Sequence, residues 1–315
     1  MKPGKGDVFR ALVKICKSKE GDIQCVKSIR TNVAQDYKKR NPTTKINYDD
    51  GKQHDPEEFL RALLDCVSNE FMVNHKWVSK ITEYVILETH SCPNCDFKKN
   101  IDMEENVFQI DANSKSLKEG IKKKLATEEI QKGSDFQHDC PNPTNKVFVR
   151  KRLLVTPEVF IPQVNRFEYN KRTKSSRKVK TDVKLSKRLK LGDVPFELDA
   201  SINHEGNTMN AGHCITNVFD PKTGLFHRCS DSSITKNMTT KEAKANQVYV
   251  AFLSKKKSEQ EPQEEKIEDE NDQENSNDEY ETNKSRTFSR PQNQEYHFRK
   301  PMDRGFRRKG QVTHI

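Results

Sequence analysis

The sequence predicts an α+β fold with an antiparallel sheet in its C-terminal part and a disordered C-terminal tail. Three observations predict it. Apolar residues recur at helical spacing between Val8 and Val67. From Val147 onward, short apolar runs are divided by Gly, Pro and Asp turns. After about Ser258 the chain is nearly all Glu, Asp, Gln, Asn and Ser, and from Lys284 it turns basic through Arg286, Arg290, Arg299, Arg304, Arg307 and Arg308. Such blocks bury too little apolar surface to offset chain entropy. Folding is therefore expected over residues 1–257 and disorder over 258–315.

The elements follow in order. Val8, Leu12, Ile15 and Cys16 share one helix face, and Cys25, Ile29 and Val33 continue after the Gly21-Asp22 break. Residues 39–53 are polar and loop-like. Asp55-Pro56-Glu57-Glu58 opens a strong helix, with an Asp N-cap, Pro in the first turn and acids at the positive helix end. Its stripe is Phe59, Leu60, Leu63, Leu64 and Val67, and it runs to about Phe71. From about Lys80 the period shortens, and Ile81, Tyr84, Val85 and Ile86 predict a strand leading into Ser91-Cys92. A short strand over Val107 to Ile110 precedes a helix over 115–130, read from Leu117, Ile121, Leu125 and Ile130. Strands are expected over 147–155, 158–165, 178–186, 211–220, 225–230 and 247–253. No internal repeat is found.

Composition bounds the function. Of 315 residues, 32% are hydrophobic and 33% charged, a balance explained in part by the tail. The net charge of +10 fits an acidic partner or nucleic acid, and equally a solvated lysine-rich surface. No long apolar core stands at the N-terminus and no run of about eighteen apolar residues occurs, so neither a signal peptide nor a membrane span is expected. The eight cysteines then read as thiols or metal ligands in the cytosol or nucleus rather than as a disulfide framework.

Three groups of residues carry chemistry. Gly212-His213-Cys214, followed by Cys229-Ser230-Asp231-Ser232, places an imidazole beside a hydroxyl or carboxylate that could orient it, the base half of a hydrolase site. A structural histidine beside an ordinary turn is the plain alternative. Asp55 and Glu58 lie one helical turn apart and could pair with arginines of a bound peptide, or serve only as N-cap and dipole partners. Cys92 and Cys95 form a knuckle, and Cys140 follows after a long gap. Pro143 stands where a second Cys-x-x-Cys would close a tetrahedral zinc site, and His138 could supply the fourth ligand. A zinc-free ribbon is the other reading.

These segments together resemble the ubiquitin-specific protease family of cysteine deubiquitinases. Gln53-His54-Asp55-Pro56-Glu57-Glu58-Phe59-Leu60 resembles its Gln-Gln-Asp-Ala-x-Glu-Phe-Leu segment. Cys92-x-x-Cys95 with Cys140 resembles its zinc-ribbon fingers, and Val159 to Phe167 the strand ending in Lys-Arg-Phe. Gly212-His213-Cys214 resembles the histidine box, Phe226 to Thr235 the segment after it, and Val248 to Leu253 the closing strand. The resemblance spans about residues 7–256.

It implies a papain-like thumb, palm and fingers architecture, with a partial thumb over about 1–80, fingers over 81–150 and palm over 151–257. It implies thiol hydrolysis of ubiquitin isopeptide bonds with no cofactor in the chemistry, ubiquitin or a ubiquitinated protein as partner, and a structural zinc. His213 takes the base position, Ser230 stands where a third triad member belongs, with Asp231 beside it, and Asp55 and Glu58 match acids that grip ubiquitin's tail. No nucleophile is found. The family's Gly-Asn-Thr-Cys-Tyr box has no counterpart before Gln53, and neither Cys16 nor Cys25 has the setting of a reactive thiolate. The expectation is a ubiquitin-binding pseudo-protease. The alternatives are a fragment of an active enzyme whose cysteine lies upstream of Met1, and a nucleic-acid-associated protein acting through its basic tail.

Overall fold

The computed structural model describes residues 7–17, 23–70, 80–131, 133, 136–170, 172, 175–206, 212–243 and 247–256. The chain divides into two compact units, Met1–Glu259 and Gln260–Ile315. The second unit lies outside the described residues, so the expected disorder of the tail and its nucleic-acid role do too, as do Phe71, Asn210 and Ala211.

Three helices open the first unit: α1 (Asp7–Lys17), α2 (Ile23–Arg40) and α3 (Pro56–Glu70). They enclose their own core of Val8, Cys25, Ile29, Val33, Tyr48, Ala62 and Cys66. The Glu70 carboxylate closes this bundle, because its two oxygens accept the Val8 and Phe9 amides at 2.8 and 3.0 Å. Those are first-turn amides with no partner inside their own helix.

The strands are β1 (Tyr84–Ser91), β2 (Lys98–Glu105), β3 (Phe108–Asp111), β4 (Glu128–Gln131), β5 (Lys146–Val155), β6 (Val159–Phe160), β7 (Pro162–Asn165), β8 (Phe167–Asn170), β9 (Ser175–Lys178), β10 (Arg188–Leu191), β11 (Val194–Glu205), β12 (His213–Asp220), β13 (Leu225–Ser230), β14 (Ser233–Met238) and β15 (Val248–Lys255). Helix α4 (Leu117–Lys124) follows β3 and the short α5 (Thr240–Ala243) follows β14. A four-stranded sheet runs β2-β1-β5-β4. A nine-stranded sheet runs β14-β13-β12-β11-β15-β7-β3, with β10 on β11 and β6 on β15. Every described pairing is antiparallel except β3 with β7. The main core, including Phe108, Phe160, Phe196, Leu198, Phe226 and Leu253, lies against the large sheet. The α+β class with antiparallel sheets therefore stands.

Several boundaries differ from expectation. Residues 80–82 form a helical turn and the strand begins only at Tyr84. The helix expected over 115–130 ends at Lys124, and Ile130 pairs with Val147 in the β4–β5 ladder. Residues 179–186 form no strand, leaving one bridge between Ser116 and Lys184. Strands β2, β4, β8, β10, β11 and β14 were not anticipated, nor was β9 ahead of its last residue, Lys178. In β11 the pattern is masked because Ser201, Asn203 and His204 are buried polar residues. In β2 the alternate exposed residues are all polar: Lys98, Asn100, Asp102 and Glu104.

Candidate functional site

Two adjacent strands of the large sheet build the histidine site. His213 opens β12 and Ser230 closes β13, one step beyond the Thr216–Cys229 pair. His213 Nε2 lies 2.8 Å from Ser230 Oγ. A hydroxyl both donates and accepts, so Ser230 can hold either tautomer of the ring. Asp231 takes φ +49° at the turn into β14, a conformation Asp tolerates better than most residues. Its Oδ2 lies 3.9 Å from Nε2, and its side chain is 85% exposed. Solvent screens that charge, so the hydroxyl is the close partner and the carboxylate the distant one.

No cysteine sulfur among the described residues lies within hydrogen-bonding distance of the His213 ring. Cys214 is next in sequence, but successive strand side chains leave opposite faces. Burial raises its thiol pKa, Asp55 adds to that, and Lys178 only partly opposes it. Cys25 and Cys66 lie buried in the helical core. Burial pushes Cys66 up to about 12. Cys16 is exposed on α1.

The start of α3 meets the sheet beside Cys214. Asp55 Oδ1 accepts the Glu57 and Glu58 amides at 2.8 and 3.4 Å as an N-cap. Its Oδ2 accepts the Tyr249 hydroxyl of β15 at 2.7 Å, and Gln163 Nε2 donates to that hydroxyl at 3.1 Å. Burial and the Asp55 charge both raise the Tyr249 pKa, which keeps the phenol a donor. Phe167 packs edge-on against Tyr249 and His204, with centroids 6.0 and 5.5 Å away. His204 pairs with Cys214 across the β11–β12 ladder. Its pKa is lowered, first by burial and then by Lys178, with Asp55 pulling the other way. At Gly212 a Cβ would stand 2.4 Å from His204 Nε2 and 2.5 Å from the Glu205 carbonyl, so only glycine fits. The result is an acidic helix start set against the Tyr249, Phe167 and His204 rings, with a close-packed glycine just before His213. Tyr249, Phe167, His204 and Gln163 were not singled out from sequence, because they meet Asp55 only through long-range pairing.

The cysteine cluster sits at the β1–β2 turn. Cys92 Sγ lies 3.8 Å from Cys140 Sγ, and Cys95 Sγ lies 3.3 Å from His138 Nε2. All four ligand atoms fall within 4.8 Å of one another. Sulfur ligands at about 2.3 Å from a tetrahedral zinc give ligand edges of about 3.8 Å, so the residues present fit the ion. Burial disfavours the Cys92 thiolate, yet the Asn94 amide with His138, Cys95 and Cys140 outweighs it and brings the thiol down to about 7. The Cys95 pKa is raised: the Phe97 amide favours its thiolate, but burial and the two neighbouring sulfurs outweigh that. Phe97 stacks on the His138 ring at 4.3 Å and fixes its plane. Pro143 therefore does not open the cluster, because His138 occupies the fourth corner.

Ubiquitin carboxyl-terminal hydrolase 26 of Arabidopsis thaliana is 23% identical over 211 residues, covering 61% of this chain and 20% of the relative. Ubiquitin carboxyl-terminal hydrolase 48 of Gallus gallus is 25% identical over 215 residues, again covering 61% and 20%. The chain thus spans about a fifth of the length of the curated relatives it matches. Among solved structures, the SAGA Ubp8/Sgf11/Sus1/Sgf73 DUB module bound to ubiquitin aldehyde aligns with a TM-score of 0.66 at 19% identity, covering 81% of this chain and 61% of that one. The Ubp8-Sgf11-Sgf73-Sus1 SAGA DUB module aligns with a TM-score of 0.61, also at 19% identity, covering 79% of this chain and 57% of that one. Identities this low speak for the fold alone. The family model described as ubiquitin carboxyl-terminal hydrolase matches residues 7–253, most of the chain, and the chain belongs to that family, within its ubiquitin-specific protease group.

Proposed function

We propose that this domain binds the C-terminal tail of ubiquitin, free or on a conjugated protein, and does not cleave it with a thiol of its own. The observation that carries this reading is the His213–Ser230 pair without a cysteine beside it. A general base with no nucleophile cannot form the acyl-enzyme on which thiol hydrolysis depends. In this reading His213 is the base of the site, Ser230 orients its ring, and Asp231 adds a screened charge.

The start of α3 receives the tail. Asp55 and Glu58 face its arginines, since carboxylates and guanidinium groups pair well. Phe167, His204 and Tyr249 flank the backbone. The division into partial thumb over about 1–80, fingers over 81–150 and palm over 151–257 belongs to the same proposal. A zinc held by Cys92, Cys95, His138 and Cys140 would tie the fingers together. It would play no part in the chemistry. A reducing compartment, cytosol or nucleus, fits eight cysteines that are all free.

The test is a titration with ubiquitin and with ubiquitin lacking its last residues. Binding that needs the tail supports the reading, and equal or absent binding removes it. A second reading has one observation in its favour: the chain spans only a fifth of its curated relatives. In that reading the thiol lies in sequence ahead of Met1. An in-frame Gly-Asn-Thr-Cys box there would decide for it.

A further inference from the structure

The large sheet is ragged at the end that carries His213. The His204 amide still reaches the Gln247 carbonyl at 3.3 Å, but among the described residues the β11–β15 ladder ends at Asn203, one residue short of His204. Lys178, the last residue of β9, fills that gap. Its Nζ donates to the His204 carbonyl at 2.6 Å and to the Gly206 carbonyl at 2.9 Å. The residue is 8% exposed. Among the described residues no carboxylate pairs with the ammonium. Burial is the first cause of its lowered pKa, followed by Arg166 and Lys180.

A buried cation costs free energy unless its hydrogen bonds are met. A methionine would fill the same slot without desolvating a charge, but would leave the His204 and Gly206 carbonyls without this donor. The two carbonyls it holds bracket the exit of β11, where Gly206 takes φ +123°. The chain comes back at Gly212, pressed against the His204 ring and the Glu205 carbonyl so closely that no Cβ fits. Both ends of the connection are thus pinned to residues 204–206, and the next residue is His213.

We propose that Lys178 is a positioning residue for His213. By clamping the carbonyls of His204 and Gly206 it fixes the backbone from which the imidazole projects, and so keeps Nε2 on the Ser230 hydroxyl. This inference rests on the reading of His213 as the base of the site.

The test is nitrogen NMR of histidine and lysine side chains in the full chain without ubiquitin, for the unaltered protein, Lys178→Met and Lys178→Arg. In the unaltered protein the Lys178 ammonium is expected to exchange with water far more slowly than exposed lysines, and the His213 ring to give one sharp set of nitrogen signals. Lys178→Met is expected to fold with a melting midpoint within about 5 °C of the parent, yet to show the His213 nitrogen signals broadened or split as the ring samples more than one position. Lys178→Arg, which keeps a cationic donor, is expected to restore the single sharp set. Unchanged His213 signals in Lys178→Met overturn the proposal. So does a fast-exchanging Lys178 ammonium in the parent. Failure of Lys178→Met to fold also overturns it, by making the lysine a general prop. Because the signals are read without ubiquitin, loss of ubiquitin binding would sink the functional reading and leave this result standing.

Discussion

His213 Nε2 and Ser230 Oγ stand 2.8 Å apart, with the Asp231 carboxylate 3.9 Å from the same nitrogen and turned to solvent. A neutral hydroxyl therefore occupies the place from which a carboxylate would stabilise an imidazolium.

Removing that hydroxyl should loosen the ring. In Ser230→Ala the His213 side-chain nitrogen signals are expected to broaden as the imidazole samples more than one position, while Ser230→Thr, which keeps a hydroxyl, should leave them sharp. Unchanged His213 signals in Ser230→Ala would contradict the placement of Ser230 beside the ring.

Asp55 has two separable tasks, N-cap of α3 and acid of the tail site. Asparagine is as good an N-cap as aspartate, whereas alanine costs about 1 kcal/mol. Asp55→Asn should keep the melting temperature and weaken ubiquitin binding at least tenfold. Asp55→Ala should lose both. Unchanged ubiquitin affinity in both variants would reduce Asp55 to a cap.

His204 makes stability pH-dependent. Its folded pKa is lowered, chiefly by burial. Above the unfolded value of about 6.5 both states carry a neutral ring and nothing changes with pH. Below it the unfolded chain takes up the proton first, so stability falls as pH drops toward the folded value. Thermal unfolding between about pH 7 and 5.5 should show this loss, and His204→Gln should flatten that part of the curve. A slope that survives the substitution would assign the titration elsewhere.

Metal content is a further check. Purified protein should carry one zinc per chain by elemental analysis, and a chelator should lower the melting temperature. His138→Ala should weaken zinc retention. Stability that ignores the chelator in zinc-free protein would leave a ribbon held by packing alone.

How far the sequence alone reached is clearest in particular elements. The β13 span of 225–230 was read in full, because turn residues Pro221 to Gly224 precede it and Asp231 follows. The start of α3 was equally clear, since Asp55-Pro56 is a local signal that needs no tertiary partner. Strand β11 was missed although it lies at the centre of the large sheet, because its buried Ser201, Asn203 and His204 interrupt the apolar pattern that marks a buried strand. Ile130 stands five residues after Leu125, off the helical face, and pairs instead with Val147 in a β ladder. In the site, His213, Ser230 and Asp231 carry local cues. Tyr249 is 194 residues from the Asp55 it donates to, and Lys178 acts on carbonyls rather than on a partner side chain. Neither leaves a trace in local pattern.

The most direct measurement is incubation of the purified chain with a ubiquitin C-terminal electrophile, alongside titration with unmodified ubiquitin. Binding without a covalent adduct is the predicted result, since the described cysteines lie away from the His213 ring. A stoichiometric adduct would show that one of the eight cysteines is a competent nucleophile and would contradict the assignment of a binding domain without a thiol of its own.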